Sequence, residues 1–423
     1  MIRTGRMTMA LCAGVLLSGA AAACGGQEPG LQADELAVLI DSLLPRIAEA
    51  SGLEVRAPVR YAMQPRAEAR AFIARQLEEE FGPGELEGMA RAYKAFGLLP
   101  DTVDLDRLLL ELYTEQVIGY YDPRTDRLYV VEGAERETAA PVVAHELVHA
   151  LQDQLVPLDS LVARERGNDR QMAAQAAAEG QATLVMLALQ AEQTMGRRLD
   201  PALLPDLAEL LRPAAEAENA QFPVFNRAPR LIRETMLFPY VAGAAFLQAL
   251  YRATDGDGPV VPFGDLLPHS TEQVMNPEAR FLPRPDVPTE VWLERPAAGW
   301  RTVYENNLGQ LEVSILLAEH LDDQAAAAAE GWDGDRYALL EGPGGGEALV
   351  WYSVWDDDAA ADRFAAAYHR MLDRRPDRAG LARRSEAWGR PVVLVVEARA
   401  GVELGDVPVP AIERLQEVQN LDR

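Results

Sequence analysis

Cysteine is almost absent from this chain, which has two in 423 residues, Cys12 and Cys24. Cys12 lies in an N-terminal segment that we expect to be cleaved off, so the mature protein would keep one cysteine. One cysteine cannot form an intramolecular disulfide. Hydrophobic residues make up 48% of the chain, so stability is expected to come from the burial of apolar side chains in a large core.

Basic residues are also in short supply. The chain has 40 Lys and Arg against 66 Asp and Glu, which gives a formal net charge of -26. No dense basic patch interrupts this excess of acids. A surface of this sign repels phosphate backbones, so we expect no nucleic acid among the partners.

Long hydrophobic runs are missing from the N-terminus, although a shorter one is present. The apolar stretch Met7–Leu17 follows Arg3 and Arg6 and precedes small residues at 18–23. This layout is typical of a secretory signal peptide over residues 1–23, and the stretch is too short and too rich in Ala and Gly for a membrane span. We therefore predict that the protein is exported.

Cys24 follows three alanines at 21–23, which resembles a bacterial lipobox with Ala21 where Leu is usual. The prediction is that Cys24 carries lipid and holds the protein at a membrane of the bacterial envelope, through a tether over residues 24–33. The alternative is ordinary cleavage after the alanines, which would release a soluble protein.

Apolar residues at helical spacing predict a mainly helical first part. Helices are expected at about 34–50, 66–81, 84–96, 104–117, 139–153, 170–195, 203–217 and 236–253. Two short β-type runs, Val117–Tyr121 and Arg127–Val131, flank a turn-forming segment and predict a hairpin. Another strand is expected within Glu54–Met63, and the Pro/Gly-rich segment 256–296 is expected to be mostly loop.

After Trp300 the pattern changes to alternating helices and strands. The expected elements are helices near 308–321 and 357–373, strands near 336–341, 347–354, 381–388 and 391–397, and a last helix from Pro410. The predicted fold class is α+β, with a mainly helical domain containing a short hairpin over 34–300 and a small α+β domain over 301–423. The sequence makes no prediction about the oligomeric state.

Histidine is scarce as well, with five in the chain, yet two of them are four residues apart in the segment VVAHELVHALQDQ, 142–154. On a helix, this spacing puts His145 and His149 on one face about one turn apart, where both imidazoles can bind one zinc ion. Glu146 can then act as the general base that takes a proton from a water molecule. The alternative is an ordinary helix with two hydrogen-bonded histidines.

A catalytic zinc ion needs a third protein ligand and an open position for water. The other histidines, none of which has the spacing of a third ligand, are His269, His320 and His369. Glu179 is the best candidate, because it is an isolated acid after an alanine-rich segment whose small residues let two helices approach closely. The alternative is a glutamate that faces solvent. His269 could also enter the site, although a solvated position in its loop is favoured.

Further side chains would complete such a site. The oxyanion that forms during hydrolysis needs a hydrogen-bond donor, for which Tyr240 is the first candidate and Tyr120 and Tyr121 are others. Each of these tyrosines has the alternative of packing in the core. The free N–H groups of the histidine ligands need acceptors. The candidates for that role are Asp153, Asp169 and Glu115.

The segments HELVH at 145–149 and EGQA at 179–182 resemble the gluzincin group of zinc metallopeptidases, whose third ligand is a glutamate on a later helix. Other segments resemble uncharacterised bacterial HExxH lipoproteins, namely GYYDPRTDRLYVV (119–131), FPYVAGAAF (238–246), STEQVMNPE (270–278) and GWDGDRYAL (331–339). The resemblance implies a zincin-like fold, Zn²⁺ held by His145, His149 and Glu179, and hydrolysis of a peptide or protein substrate.

Two other functions stay open at this point. The chain could be a non-catalytic surface lipoprotein that keeps a zinc site as a binding scaffold, or it could hydrolyse a non-peptide amide. Glu146 favours catalysis over the scaffold, because metal binding alone does not require a general base.

Overall fold

The computed structural model describes residues 30–161, 167–197, 200–254, 258–399 and 401–418. The predicted signal peptide, Cys24 and most of the predicted tether lie outside the described residues. Within these ranges, no helix combines the length and the apolar character that are needed to cross a membrane.

The first part of the chain contains four helices and a small sheet. The helices are α1 (Ala33–Ser51), α2 (Arg66–Glu80), α3 (Glu85–Phe96) and α4 (Leu105–Gln116). The strands are β1 (Arg60–Gln64), β2 (Gly119–Asp122) and β3 (Arg127–Val131). The strand order is β1-β3-β2, with β1 parallel and β2 antiparallel to β3. The predicted hairpin is therefore confirmed, and β2 lies at one edge of the sheet.

Three long helices follow, joined by shorter ones. The long helices are α5 (Arg136–Leu155), α7 (Asn168–Met195) and α10 (Arg230–Ala253), and the short ones are α6 (Leu158–Leu161), α8 (Leu207–Asn219) and α9 (Pro223–Arg227). The predicted helices in this region are confirmed, although α10 begins six residues and α5 three residues earlier than expected. Pro141 consequently lies in the second turn of α5. The sheet packs on α5, and α5 packs on α7.

Helices α7 and α10 cross with their backbones in direct contact. A Cβ atom added to Gly180 would lie 2.3 Å from the carbonyl carbon of Gly243, and one added to Gly243 would lie 2.1 Å from the carbonyl oxygen of Ala176. No side chain fits in this space, so both positions require glycine. Glu179 and Tyr240 lie one and three residues from these glycines along their helices, and the close crossing therefore brings both side chains into the same region.

The remaining chain builds two further sheets, one of five strands and one of two. Its helices are α11 (Thr271–Met275), α12 (Pro277–Arg280), α13 (Gly309–His320) and α14 (Asp358–Asp373). Its strands are β4 (Thr289–Leu293), β5 (Arg301–Asn306), β6 (Trp332–Glu341), β7 (Glu347–Trp355), β8 (Arg378–Ala387), β9 (Arg390–Arg399) and β10 (Ile412–Glu417). Strands β5-β6-β7-β9-β8 form an antiparallel sheet, and β10 pairs with β4.

The last helix, predicted from Pro410, is wrong, because Ile412–Glu417 is a strand. Its backbone groups bond to β4, which lies more than one hundred residues earlier in the chain. Local sequence does not reveal such a distant pairing. The segment 256–296, expected to be mostly loop, holds α11, α12 and β4, and β5 was not expected at all.

One large buried cluster joins the two parts. It runs from Phe96 on α3 and Phe246 on α10 to Trp351 on β7 and Phe364 on α14. The fold is α+β, with small sheets at both ends of a mainly helical middle.

Candidate metal centre

His145 and His149 lie on the buried face of α5. Their Nε2 atoms are 3.1 Å apart, as expected for residues one helical turn from each other. Both side chains are almost completely buried. The helical spacing in the sequence therefore places the two imidazoles as predicted.

Glu179 reaches the same point from α7. Its Oε2 atom is 2.9 Å from Nε2 of His145 and 3.3 Å from Nε2 of His149. Donor atoms bound at 2.0–2.1 Å around a tetrahedral ion lie about 3.3 Å apart. Two nitrogens and one carboxylate oxygen at these separations, buried and facing each other, could hold a metal ion.

The ionisation of the three groups is strongly coupled. Burial lowers the pKa of His149, but Glu179 outweighs this effect and raises the pKa to about 9. Burial raises the pKa of the Glu179 carboxyl, but the two histidines more than offset that, so this pKa is lowered. Burial and the neighbouring His149 lower the pKa of His145. Without metal, the site thus balances the Glu179 carboxylate with a proton on His149, and a metal cation would take the place of that proton.

The orientation of His149 is fixed by a chain of amide hydrogen bonds. Gln181 donates from Nε2 to the carbonyl oxygens of Ser51 (3.1 Å) and Val260 (2.9 Å), so its Oε1 faces Gln152. Gln152 donates from Nε2 to that Oε1 (2.9 Å) and to the carbonyl oxygen of Ala178 (3.0 Å).

The Oε1 atom of Gln152 consequently faces His149 and lies 2.8 Å from its Nδ1. An amide oxygen only accepts, so the hydrogen is on Nδ1. In the neutral imidazole, the Nε2 lone pair then points toward Glu179 and His145, which is the tautomer that a metal needs.

The acceptors suggested from the sequence for this role are wrong. Asp153 accepts from the Tyr121 hydroxyl and the backbone of Leu158, and Glu115 accepts from the first backbone N–H groups of α9. Asp169 accepts from Thr271. The actual partner, Gln152, is three residues after His149 and so on a neighbouring face of α5, a spacing that could have identified it.

Glu146 lies on the side of α5 that faces the small sheet. Its side chain is fully buried, and its Oε2 accepts a hydrogen bond of 2.8 Å from the backbone N–H of Tyr121. Because Tyr121 belongs to the edge strand β2, this bond fixes the carboxylate between that edge and the two histidines that flank it in sequence.

The three candidate tyrosines have different surroundings. The ring of Tyr240 is tilted against that of His145, with centroids 5.9 Å apart, so Tyr240 borders the metal-binding group. Tyr121 directs its hydroxyl to Asp153 at 3.0 Å. Tyr120 stacks on Phe72 in a separate apolar cluster. It therefore packs in the core, which was the alternative to a role in the site.

Two other histidines, His269 and His320, lie away from this site. His269 lines a small cavity beside Asp169 and Trp332, and His320 is 3.0 Å from the carbonyl oxygen of Phe96. Neither belongs to the metal-binding group among the described residues.

A second group of acids, Asp286, Asp333 and Asp356, also has oxygens within 4.8 Å of one another. Arg280 forms ion pairs with Asp286 and Asp356, both at 2.6 Å, and Arg390 forms one with Asp333. The two arginines already balance the negative charge of these carboxylates. The group is therefore an ion-pair network and not a candidate metal site.

Comparisons with known proteins address the C-terminal part of the chain. A family model described as a domain of unknown function (DUF8575) matches residues 282–410. No curated protein and no solved structure matches the chain. His145, His149 and Glu179 lie outside the matched segment.

Proposed function

We propose that the chain is a zinc peptidase of the gluzincin type, with a zincin-like fold around α5 and α7. The observation that carries the proposal is the convergence of His145, His149 and Glu179 on one point, with the carboxylate of Glu146 one residue away on α5. Two imidazoles and a glutamate are a donor set typical of catalytic zinc.

The chemistry can be assigned to residues of the chain. When bound, zinc makes a water molecule acidic near neutral pH and polarises a carbonyl group. Glu146 would accept the proton of the attacking water and return it to the amine that leaves. Tyr240 would donate a hydrogen bond to the substrate oxygen as that oxygen gains negative charge.

The substrate would be an extended peptide bound along β2. This strand pairs on one side with β3, and the N–H of Tyr121 on its other side points to Glu146. A peptide added to this edge by backbone hydrogen bonds would lie next to the base.

A catalytic role accounts for Glu146 better than a scaffold does. Its carboxylate is fully buried and is not among the metal-binding atoms. Burying a carboxylate is costly, and a protein that only bound zinc would gain nothing from it. The non-catalytic zinc scaffold and the hydrolysis of a non-peptide amide are thus the alternatives that an experiment must separate.

The test is to compare the wild type with Glu146→Gln in zinc content and in cleavage of a broad peptide library. We expect one zinc ion per chain in both proteins, and peptide cleavage at least about 100-fold slower in the variant. Equal cleavage by both proteins would exclude this mechanism. Zinc binding without cleavage of any peptide would favour the scaffold or another amide substrate.

Glu179→Gln is the matched control, because it removes a ligand where Glu146→Gln removes the base. It should weaken zinc binding itself, since a neutral amide replaces a carboxylate. Unchanged zinc affinity would exclude Glu179 as the third ligand.

We also propose that the enzyme is exported and anchored in the bacterial envelope through lipid on Cys24. The support is the basic, apolar and small-residue order of residues 1–23. Mass spectrometry of the mature N-terminal peptide should find a lipidated Cys24, and an unmodified N-terminus at another residue would exclude the anchor.

A further inference from the structure

A cavity of about 530 Å³ lies between the segment that leads into β1 and the last turns of α5, and begins one helical turn after the proposed catalytic base. Its walls include Tyr121 on β2 and Ala150 on α5. The backbone N–H of Tyr121 bonds to Glu146, and Ala150 follows Glu146 by one helical turn. The cavity therefore adjoins the base on the same face of α5.

The wall opposite α5 is bonded to that helix through Gln154. Gln154 accepts hydrogen bonds from the backbone N–H groups of Arg56 (2.8 Å) and Ala57 (2.9 Å), and its Nε2 donates to the carbonyl oxygen of Ala57 (3.1 Å). These bonds tie the segment before β1 to the end of α5. The cavity is thus preformed, and its volume lies within the roughly 300–1,000 Å³ typical of ligand sites.

The lining combines an apolar wall with carboxylates. Pro58, Val59 and Ala150 supply apolar surface, and Asp153 and Asp126 supply negative charge. Asp153 is half-buried and has no ion-pair partner among the described residues, since its contacts are the Tyr121 hydroxyl and the Leu158 N–H.

One cation, Arg60, also lines the cavity. It pairs with Asp126 at 2.7 Å, and both side chains of this pair are more than half exposed. Exposed pairs contribute little, so a cation from outside could compete for Asp126. With two acids and one base, the cavity keeps a net negative charge.

We propose that this cavity is a substrate subsite that accepts a lysine or arginine side chain, an assignment that rests on the peptidase function proposed above. The aliphatic part of such a side chain would pack on Pro58, Val59 and Ala150, and its charged end would reach Asp153. A hydrogen-bonded ion pair with a half-buried carboxylate gives a strong preference over an uncharged side chain of the same length.

The position of this residue in the substrate follows from the helix. Asp153 is seven residues after Glu146, which is roughly 10 Å along the axis of α5. Three residues of an extended peptide cover about the same distance. The preferred lysine or arginine should therefore lie within three residues of the bond that is cleaved.

The test is a cleavage profile of the zinc-loaded wild type on a peptide library, followed by kinetics on a matched pair of peptides. The pair carries lysine or norleucine at the preferred position. We expect Asp153→Asn to lower the ratio of kcat/KM for lysine over norleucine by about 10-fold or more. Asp153→Glu keeps the charge and should keep most of the preference.

Asp126→Asn gives a second measurement that does not depend on how Asp153 affects folding. Asp126 is exposed and has a positive φ of 46°, which asparagine also adopts readily. This variant leaves Arg60 unpaired in the cavity, so the lysine preference should fall. Asp41→Asn, which removes an exposed acid on α1, is the control for net charge and should keep the wild-type ratio.

The outcomes separate the subsite from the peptidase function. Cleavage without preference for basic residues, or a preference that survives both Asp153→Asn and Asp126→Asn, overturns the subsite and leaves the peptidase function intact. If the zinc-loaded protein cleaves no peptide, the peptidase function is overturned, and the subsite assignment that rests on it is overturned as well.

Discussion

Replacing Gln152 by methionine removes the support of His149, one of the proposed metal ligands, while keeping the length of the side chain. The wild-type amide makes three hydrogen bonds, to Nδ1 of His149, to the carbonyl oxygen of Ala178 and to Oε1 of Gln181. Methionine makes none of them. His149 can then rotate or carry its hydrogen on Nε2, the atom that would bind the metal in the proposed site.

The expected effect on zinc affinity can be estimated. Loss of the partner of a metal-binding histidine typically costs about 10–100-fold in affinity, which is roughly 1.4–2.8 kcal/mol. We expect the upper half of this range, because Gln152 is completely buried and no solvent reaches His149 to replace the lost acceptor. The polar atoms left without a partner should each cost roughly 1–3 kcal/mol in the metal-free protein.

The assay separates these two effects. Zinc affinity is measured by competition with a chromophoric chelator, and Tm is measured on the metal-free protein. Gln152→Glu is the matched control, because its carboxylate still accepts from Nδ1 of His149 but cannot donate to Ala178 or Gln181. It should bind zinc almost as tightly as the wild type and should unfold at a lower temperature.

A wild-type zinc affinity in Gln152→Met would refute the reasoning, whatever its Tm. It would mean that the amide chain stabilises the fold without selecting the tautomer of His149. A large loss of affinity in Gln152→Glu as well would point to displacement of α5 relative to α7.

Three further predictions concern the helix crossing, the proposed oxyanion donor and the C-terminal part. Gly180→Ala should destabilise the protein by about 1–3 kcal/mol or more and weaken zinc binding in a chelator assay, because its Cβ would overlap the backbone of α10. Tyr240→Phe should lower kcat about 100-fold, with a smaller change in KM, in steady-state peptide hydrolysis. Glu312→Gln should flatten the decrease in the free energy of unfolding between about pH 5 and 8, measured by urea denaturation, since burial raises the pKa of Glu312 to about 8.

The sign for Glu312 follows from proton binding. Between its ordinary pKa and its raised pKa, the folded state holds a proton that the unfolded state has lost, so stability falls as pH rises, by up to about 1.4 kcal/mol per pH unit. An unchanged pH profile in Glu312→Gln would contradict this. Unchanged kcat in Tyr240→Phe would exclude its role. For Gly180→Ala, the control is Gly405→Ala, where the added Cβ meets no atom within 4 Å. Equal stability of the two variants would contradict the close contact between the backbones of α7 and α10.

The sequence predicts those features of the site that depend on local geometry. His145, Glu146 and His149 occupy one stretch of α5, and a helical repeat alone determines their relative directions. Glu179 could be proposed only because a third ligand was needed. Its distance from the histidines depends on Gly180 and Gly243, and the sequence does not reveal that these two glycines meet.

The features that could not be predicted all involve distant parts of the chain. Strand β10 exists because β4 pairs with it. Gln181 is fixed by carbonyl oxygens of Ser51 and Val260, which belong to segments before and after it in the chain. The cavity beside Tyr121 forms where Gln154 ties the segment before β1 to α5. In each case, the contact forms only when distant segments come together in the folded chain, and neither hydrophobic spacing nor a motif identifies the partner.

The C-terminal part affects the geometry of the candidate metal centre through α7. At the N-terminus of this helix, Asn168 donates from Nδ2 to Glu312 on α13 (2.8 Å) and from its backbone to Asn306 (3.1 Å). Glu179 follows Asn168 by eleven residues, roughly 16 Å along the helix axis. A helix fixed at its start by α13 and β5, and in its middle by the backbone of α10, cannot slide or rotate relative to α5 without breaking buried contacts. The distance between Glu179 and the two histidines is therefore set by the whole fold, including the region after residue 301.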